Sequence, residues 1–132
     1  MSETLTALLI IDHGSRLEAA NRLVAELAER LAGLGDFPIV EIAHLELAAP
    51  TIAQGFEACV RRGARRVIVL PYFLGPGRHV SDDIPRQVGE AASAHPGVGW
   101  NVAEPLGIEA KLVALARDRA LQALGMKTVT PG

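Results

Sequence analysis

Leu8-Leu9-Ile10-Ile11-Asp12-His13-Gly14-Ser15-Arg16 begins as a continuous apolar run and breaks at Asp12 into a histidine, a glycine, a hydroxyl and a cation. An apolar run of this length reads as a buried strand, and the polar cluster marks where it leaves the core. Open parallel sheets bind their ligands at the carboxyl ends of strands. His13 therefore stands where such a protein keeps its chemistry.

Strand and helix patterns alternate outward from that run. Residues 6–12 make the first strand. From Leu17 to Leu34 the apolar positions Ala20, Leu23, Val24, Leu27, Leu31 and Leu34 recur at helical spacing, with Gly33 and Gly35 as the stop. A second strand spans Ile39 to Leu45 and ends in Glu46. Pro50-Thr51 opens a second helix with Ile52, Phe56 and Cys59-Val60 inward, ending near Gly63. Val67 to Phe73 is the strongest strand, followed by the loop Gly75-Pro76-Gly77-Arg78-His79. Ser81-Asp82-Asp83 starts a third helix that runs to about His95, with Pro85 in its first turn. Val98 to Ala103 is a fourth strand, and Ile108 to Leu124 a last helix with Leu112, Leu115 and Leu121 at helical intervals. The alternation predicts one three-layer α/β domain over residues 1–125, with 126–132 as a flexible tail. Its sheet is parallel, of roughly four strands in the flavodoxin-like order 2-1-3-4, with helices on both faces.

Composition bounds the function classes. A chain of 132 residues with 49% apolar and 21% charged residues is one compact domain. Thirteen basic against 15 acidic residues, net −2, give no pull towards nucleic acid or an anionic membrane. The single cysteine, Cys59, rules out an internal disulfide and a cysteine-based zinc site, and reads as a packed small residue. The first residues lack the basic region of a signal peptide, and no apolar run is long enough to span a bilayer. A cytoplasmic enzyme or binding domain is expected.

In the predicted strand order, His13 follows the first strand, Glu46 the second and His79 the third, all at one sheet edge. Two imidazoles and a carboxylate can meet there over the switch point, a set suited to Co²⁺, Fe²⁺ or Ni²⁺. With only these protein ligands, coordination positions stay open for a substrate. Arg16 and Arg78 flank the histidines, and guanidinium forks suit an acidic small molecule. His44 alternates with Glu46 along its strand and is given a structural role; His95 reads as a solvated helix end. Arg61, Arg62, Arg65 and Arg66 fall at the opposite edge as a solvated face.

At these residues the chain resembles the small class II tetrapyrrole chelatases, the sirohydrochlorin cobaltochelatases and ferrochelatases of the CbiX/SirB kind. The resemblance covers most of residues 7–107. It rests on Asp12-His13-Gly14-Ser15-Arg16, Leu45-Glu46-Leu47-Ala48 with Pro50, and Leu70-Pro71-Tyr72-Phe73-Leu74. Gly77-Arg78-His79-Val80, Asp83-Ile84-Pro85 and Glu104-Pro105-Leu106-Gly107 complete it. After Gly107, where the family often carries a His-Pro pair, this chain has Ile108-Glu109-Ala110.

The resemblance implies insertion of a divalent metal into sirohydrochlorin; the sequence has no phosphate-cradling glycine loop of the required spacing, so neither ATP nor an organic cofactor is expected. His13 and His79 would bind the metal and accept pyrrole protons, with Glu46 assisting. Arg16, Arg78 and Ser15 would meet the ring's carboxylates, and Leu45, Phe73 and Leu74 its apolar face. The family's longer members hold two such units in one chain and its short members are homodimers, so a homodimer is expected. The sharpest geometric expectation is that His13 and His79 face each other across one cleft.

Rival readings are a non-enzymatic metal- or tetrapyrrole-binding module and a structural domain with incidental histidines. A histidine phosphatase is disfavoured, because Asp12 stands where its motif has arginine and would repel phosphate.

Overall fold

A computed structural model describes residues 5–131, with the side chain of His79 outside that description. Four parallel strands, β1 (Thr6–Asp12), β2 (Ile39–His44), β3 (Arg66–Pro71) and β4 (Gly99–Val102), lie in the order β2-β1-β3-β4. The helices are α1 (Glu18–Gly33), α2 (Ile52–Arg61), α3 (Ile84–Ala92) and α4 (Ala110–Ala123). The predicted strand order and three layers are those observed.

The pleat of β1 divides the core. Ala7, Leu9 and Ile11 pack with Ile52, Phe56 and Cys59 of α2 and Ile84 and Val88 of α3. Leu8 and Ile10 point the other way, against Val24 and Ala28 of α1. Such alternation in a strand covered on both faces gives the unbroken apolar run seen in the sequence.

α2 begins on a capping box: Thr51 Oγ1 accepts from the Gln54 N–H (3.2 Å), and Gln54 Oε1 accepts from the Thr51 N–H (2.9 Å). A Cβ on Gly55 would lie 2.7 Å from the Ile42 carbonyl, so α2 sits hard against β2. Burial pushes the Cys59 thiol up to about 12, which makes it inert packing. At the far sheet edge Arg62 pairs with Glu41 (3.2 Å), and Arg66 donates twice to Asn101 Oδ1. Those arginines hold the edge together; they do not simply solvate it.

Several boundaries differ from expectation. The third helix is entered through a π-helical turn, His79–Asp83, where a loop was expected up to His79. Pro85 has no N–H to donate into an α-helical ladder, and the turn ahead of it widens. α3 ends at Ala92, and His95 is half-buried and stacked on Phe56 (6.0 Å between centroids), not a solvated end. On α1, Leu23 and Leu34 are 64% and 71% exposed, because the stripe on the sheet runs through Val24, Leu27, Ala28 and Leu31. α4 buries no residue at all, so the apolar spacing of Leu112, Leu115 and Leu121 does not serve this core. Residues 127–131 have no regular structure. No helix among the described residues is long and apolar enough to cross a membrane.

Candidate active site

β1 and β2 end side by side, with Asp12 and His44 as register partners. Main-chain pairing continues past both ends: the Leu45 N–H donates to the Asp12 carbonyl (2.9 Å) and the Glu46 N–H to the His13 carbonyl (3.1 Å). On the other side of β1, the Tyr72 N–H donates to the Ile11 carbonyl (2.7 Å). Three chain segments thus leave the sheet together, as the central place of β1 requires.

The extended ladder brings His13 Nε2 to 2.8 Å from Glu46 Oε1, with both side chains about half exposed. The other ring nitrogen, Nδ1, lies 3.1 Å from the Gly14 carbonyl. A carbonyl and an ionised carboxylate can only accept, so a cationic ring donates to both and a neutral ring to one. The 2.8 Å contact with Glu46 needs a proton on Nε2 or on the carboxyl; a metal replacing that proton would meet the Nε2 lone pair of a neutral ring whose proton sits on Nδ1, held by Gly14. That is the tautomer a metal-ligating histidine needs, its second nitrogen fixed by a main-chain acceptor.

The backbone crossing at Gly14 is tight. Its φ is +93°, and a Cβ there would stand 1.9 Å from the Glu46 carbonyl oxygen and 3.1 Å from the His44 Cβ. Only glycine lets the chain pass this close. Leu47 takes φ +71°, the one left-handed non-glycine among the described residues, so the strain of the crossing is stored beside the site.

Beyond Gly14, Ser15 closes the loop onto α1. Its N–H donates to Asn21 Oδ1 (2.9 Å), its carbonyl accepts from Asn21 Nδ2 (2.7 Å), and its Oγ accepts from the Leu17 N–H (3.0 Å).

Beneath His13 lies a second pair. His44 is 2% exposed, and its Nδ1 is 2.5 Å from Oδ1 of Asp12, which is 18% exposed. Removing one partner of a buried charge-assisted pair typically costs about 3–5 kcal/mol. Strand alternation suggested that His44 shares the side of Glu46; instead His44 ends β2 inside the protein and Glu46 lies two residues beyond, half exposed.

The site opens into a cavity of about 300 Å³ whose walls include Asp12, His13, Asn21, Leu23, Tyr72 and Phe73. The exposed Leu23 of α1 is accounted for here. Tyr72 and Phe73 also border an apolar cavity of about 320 Å³ completed by Leu74, Leu106, Leu112 and Leu115. A larger cavity of about 440 Å³ between α2 and α3 is lined by none of the expected site residues. Its carboxylates are already engaged, Glu57 by Arg61 (3.1 Å) and Glu90 by Arg86 (3.4 Å).

Of the expected site residues, His13 and Glu46 are brought together and Phe73 lines both neighbouring cavities. Leu74 is 59% exposed on the second cavity, and Ser15 borders the first. Leu45 is buried in the α2-side core and lines neither. Arg16 and Arg78 are exposed. The backbone of His79 opens the π-helical turn after β3, while its side chain, and with it the facing of His13 and His79, lies outside the described residues. Among the described residues no group of three or more His, Cys, Asp or Glu is arranged to hold a metal. Asp12 has no expected role; a signal for it exists, since Asp12 ends the first predicted strand and His44 lies one residue short of the end of the second, its neighbour in the predicted order.

A family model described as CbiX matches residues 7–123. The chain is 41% identical over 112 residues to the sirohydrochlorin ferrochelatase, chloroplastic, of Arabidopsis thaliana, covering 85% of this chain and 50% of that protein. It is 43% identical over 89 residues to the sirohydrochlorin cobaltochelatase of Methanocaldococcus jannaschii, covering 67% of this chain and 62% of that one. The sirohydrochlorin chelatase SirB from Bacillus subtilis subspecies spizizenii, solved in complex with cobalt, superposes with a TM-score of 0.85 at 35% identity. That match covers 90% of this chain and 51% of the SirB chain. The chain thus spans about half the length of the ferrochelatases it matches.

Proposed function

We propose that this chain, which belongs to the CbiX family, inserts a divalent metal, Co²⁺ or Fe²⁺ with Ni²⁺ as a further candidate, into sirohydrochlorin. The observation that carries the proposal is the His13–Glu46 pair, 2.8 Å apart, with His13 on the wall of a cavity shared with Tyr72 and Phe73. It combines a borderline ligand and a carboxylate with an apolar, aromatic surface, as a reaction between a cation and a flat macrocycle requires. The matched relatives named sirohydrochlorin ferrochelatase and cobaltochelatase support the same substrate.

Insertion exchanges two pyrrole N–H protons for one metal ion. His13 and His79 hold the metal substrate near the ring face, and as the metal passes to the ring nitrogens the imidazoles it leaves take up the two pyrrole protons. Glu46 completes the metal set or passes the proton outward. Arg16 and Arg78 meet the peripheral carboxylates, with Ser15 and the N-terminus of α1 at the same edge. Phe73, Leu74 and Tyr72 contact the ring. The enzyme works as an ATP-independent cytoplasmic lyase with no organic cofactor.

The test mixes the protein with Co²⁺ or Fe²⁺ and sirohydrochlorin and follows the ring's absorption. Many turnovers per protein support the chelatase; a stoichiometric change supports a binding module instead, and no change overturns both. Glu46→Gln keeps the shape of the side chain and one acceptor oxygen, so it is expected to slow insertion by about tenfold, less than loss of a histidine. Complete loss would promote Glu46 to the leading group.

The active form is a homodimer. Val113 and Leu121 of α4 and Leu124 just beyond it are 53%, 46% and 81% exposed and fall on one side of the helix, an apolar face that a second copy would cover. Sedimentation at micromolar concentration should give twice the chain mass; a monomer that turns over would remove the dimer from the proposal.

A further inference from the structure

We propose that Asp12 and His44 are positioning residues that set the spacing of His13 and Glu46 beyond the ends of β1 and β2. The inference rests on the chelatase reading, which makes that spacing matter.

Each member of the pair is the last residue of its strand, and the two are register partners. His13 follows Asp12 directly, and Glu46 lies two residues beyond His44. Whatever fixes Asp12 against His44 therefore fixes the take-off points of both site residues. The main chain supplies two links above the pair, from Leu45 to Asp12 (2.9 Å) and from Glu46 to His13 (3.1 Å). The 2.5 Å link between His44 Nδ1 and Asp12 Oδ1 locks the same junction through side chains, inside the protein. His44 is also tied outward, its N–H donating to the Pro50 carbonyl (2.8 Å), just before the Thr51 cap of α2. It thus joins β1, β2 and the start of α2.

Stability alone does not call for a polar pair here. The neighbouring register partners, Ile10↔Ile42 and Ile11↔Ala43, are apolar, and a buried ion pair is often no more stable than an apolar pair of similar volume. A hydrogen bond adds direction, which dispersion does not: it fixes the ring plane and the carboxylate together. The place of the pair fits that use. Asp12 reaches the wall of the 300 Å³ cavity, and the His44 Cβ lies 3.1 Å from where a Cβ on Gly14 would stand. Movement of His44 would press directly on the crossing that carries His13.

The test compares His44→Asn, His44→Phe and the double variant Asp12→Ala/His44→Phe. Asparagine can return an N–H to the position of Nδ1. Phenylalanine fills the space without it, and the double variant leaves no carboxylate stranded in the interior. Each is measured for melting temperature, for kcat and KM on sirohydrochlorin, and for Co²⁺ affinity by visible absorption. The expected result is a folded double variant with kcat and Co²⁺ affinity lowered about 10–100-fold and KM for the macrocycle unchanged, and His44→Asn closer to wild type than His44→Phe.

A folded double variant with wild-type kcat and Co²⁺ affinity would overturn the proposal. So would a double variant that cannot fold, which would mark the pair as a structural tie. A wild-type protein that binds Co²⁺ without turnover would sink the chelatase reading alone, because the Co²⁺ affinities still decide the role of the pair. A wild type that takes up no Co²⁺ removes both.

Discussion

The His13→Ala variant is expected to lose metal insertion by about 10²–10⁴-fold while keeping its melting temperature. The two halves of that result have separate causes. The His13 side chain is 45% exposed at a strand end, so its removal opens no core cavity, and surface truncations of that kind change stability by about 0.5 kcal/mol. Its ring is nevertheless placed with Nδ1 against the Gly14 carbonyl and Nε2 towards Glu46, so alanine deletes a proposed ligand and a proton acceptor together. Initial rates with Co²⁺ and sirohydrochlorin, beside a thermal melt, check both halves. A near-normal rate would take His13 out of the mechanism.

Gly14→Ala should be the more damaging change to the molecule as a whole, although it adds one methyl group. The added Cβ would stand 1.9 Å from the Glu46 carbonyl oxygen, whereas ordinary contact begins at 3.4 Å, and the backbone must also hold φ +93°. An L side chain in a left-handed conformation costs roughly 1–2 kcal/mol before any clash is counted. The clash has no flexible partner to absorb it, since the opposing atom is main chain. Either the segment at Glu46 withdraws and the His13–Glu46 pair opens, or the whole junction is destabilised by more than ~3 kcal/mol. The first outcome appears as lost turnover at a modestly lowered melting temperature, the second as a fall in melting temperature of roughly 10 °C or more. A variant with wild-type melting and wild-type turnover would show that the crossing at Gly14 is looser than described.

The fold was legible because the sequence states it twice. Leu8 to Ile11 and Val67 to Leu70 are apolar on both faces, as strands covered by helices must be, and helical spacing separates them. Strand order followed from general rules for parallel sheets, and with it the convergence of His13 and Glu46. What escaped was local. The wide turn at His79–Asp83 depends on a missing donor at Pro85, whose effect appears one turn earlier in the chain. The inward course of His44 could not be read from alternation with Glu46, because the strand ends at His44 and alternation ends with it. The last helix kept an apolar spacing with no core beneath it, and spacing alone does not tell which body it is meant to meet.

The central place of β1 sets a limit on how this protein can change. The strand is bonded on both sides, buried through Ala7 to Ile11, and hands the chain to His13 one residue after its end. Scaffold and candidate site are therefore not separable modules. A substitution that shifts β1 to suit a new metal or ring shifts the shared core, and one that repacks the core re-aims the histidine. Room for adaptation lies instead on the borrowed walls, at Leu23, Tyr72, Phe73 and Leu106, where shape can drift without moving the strand.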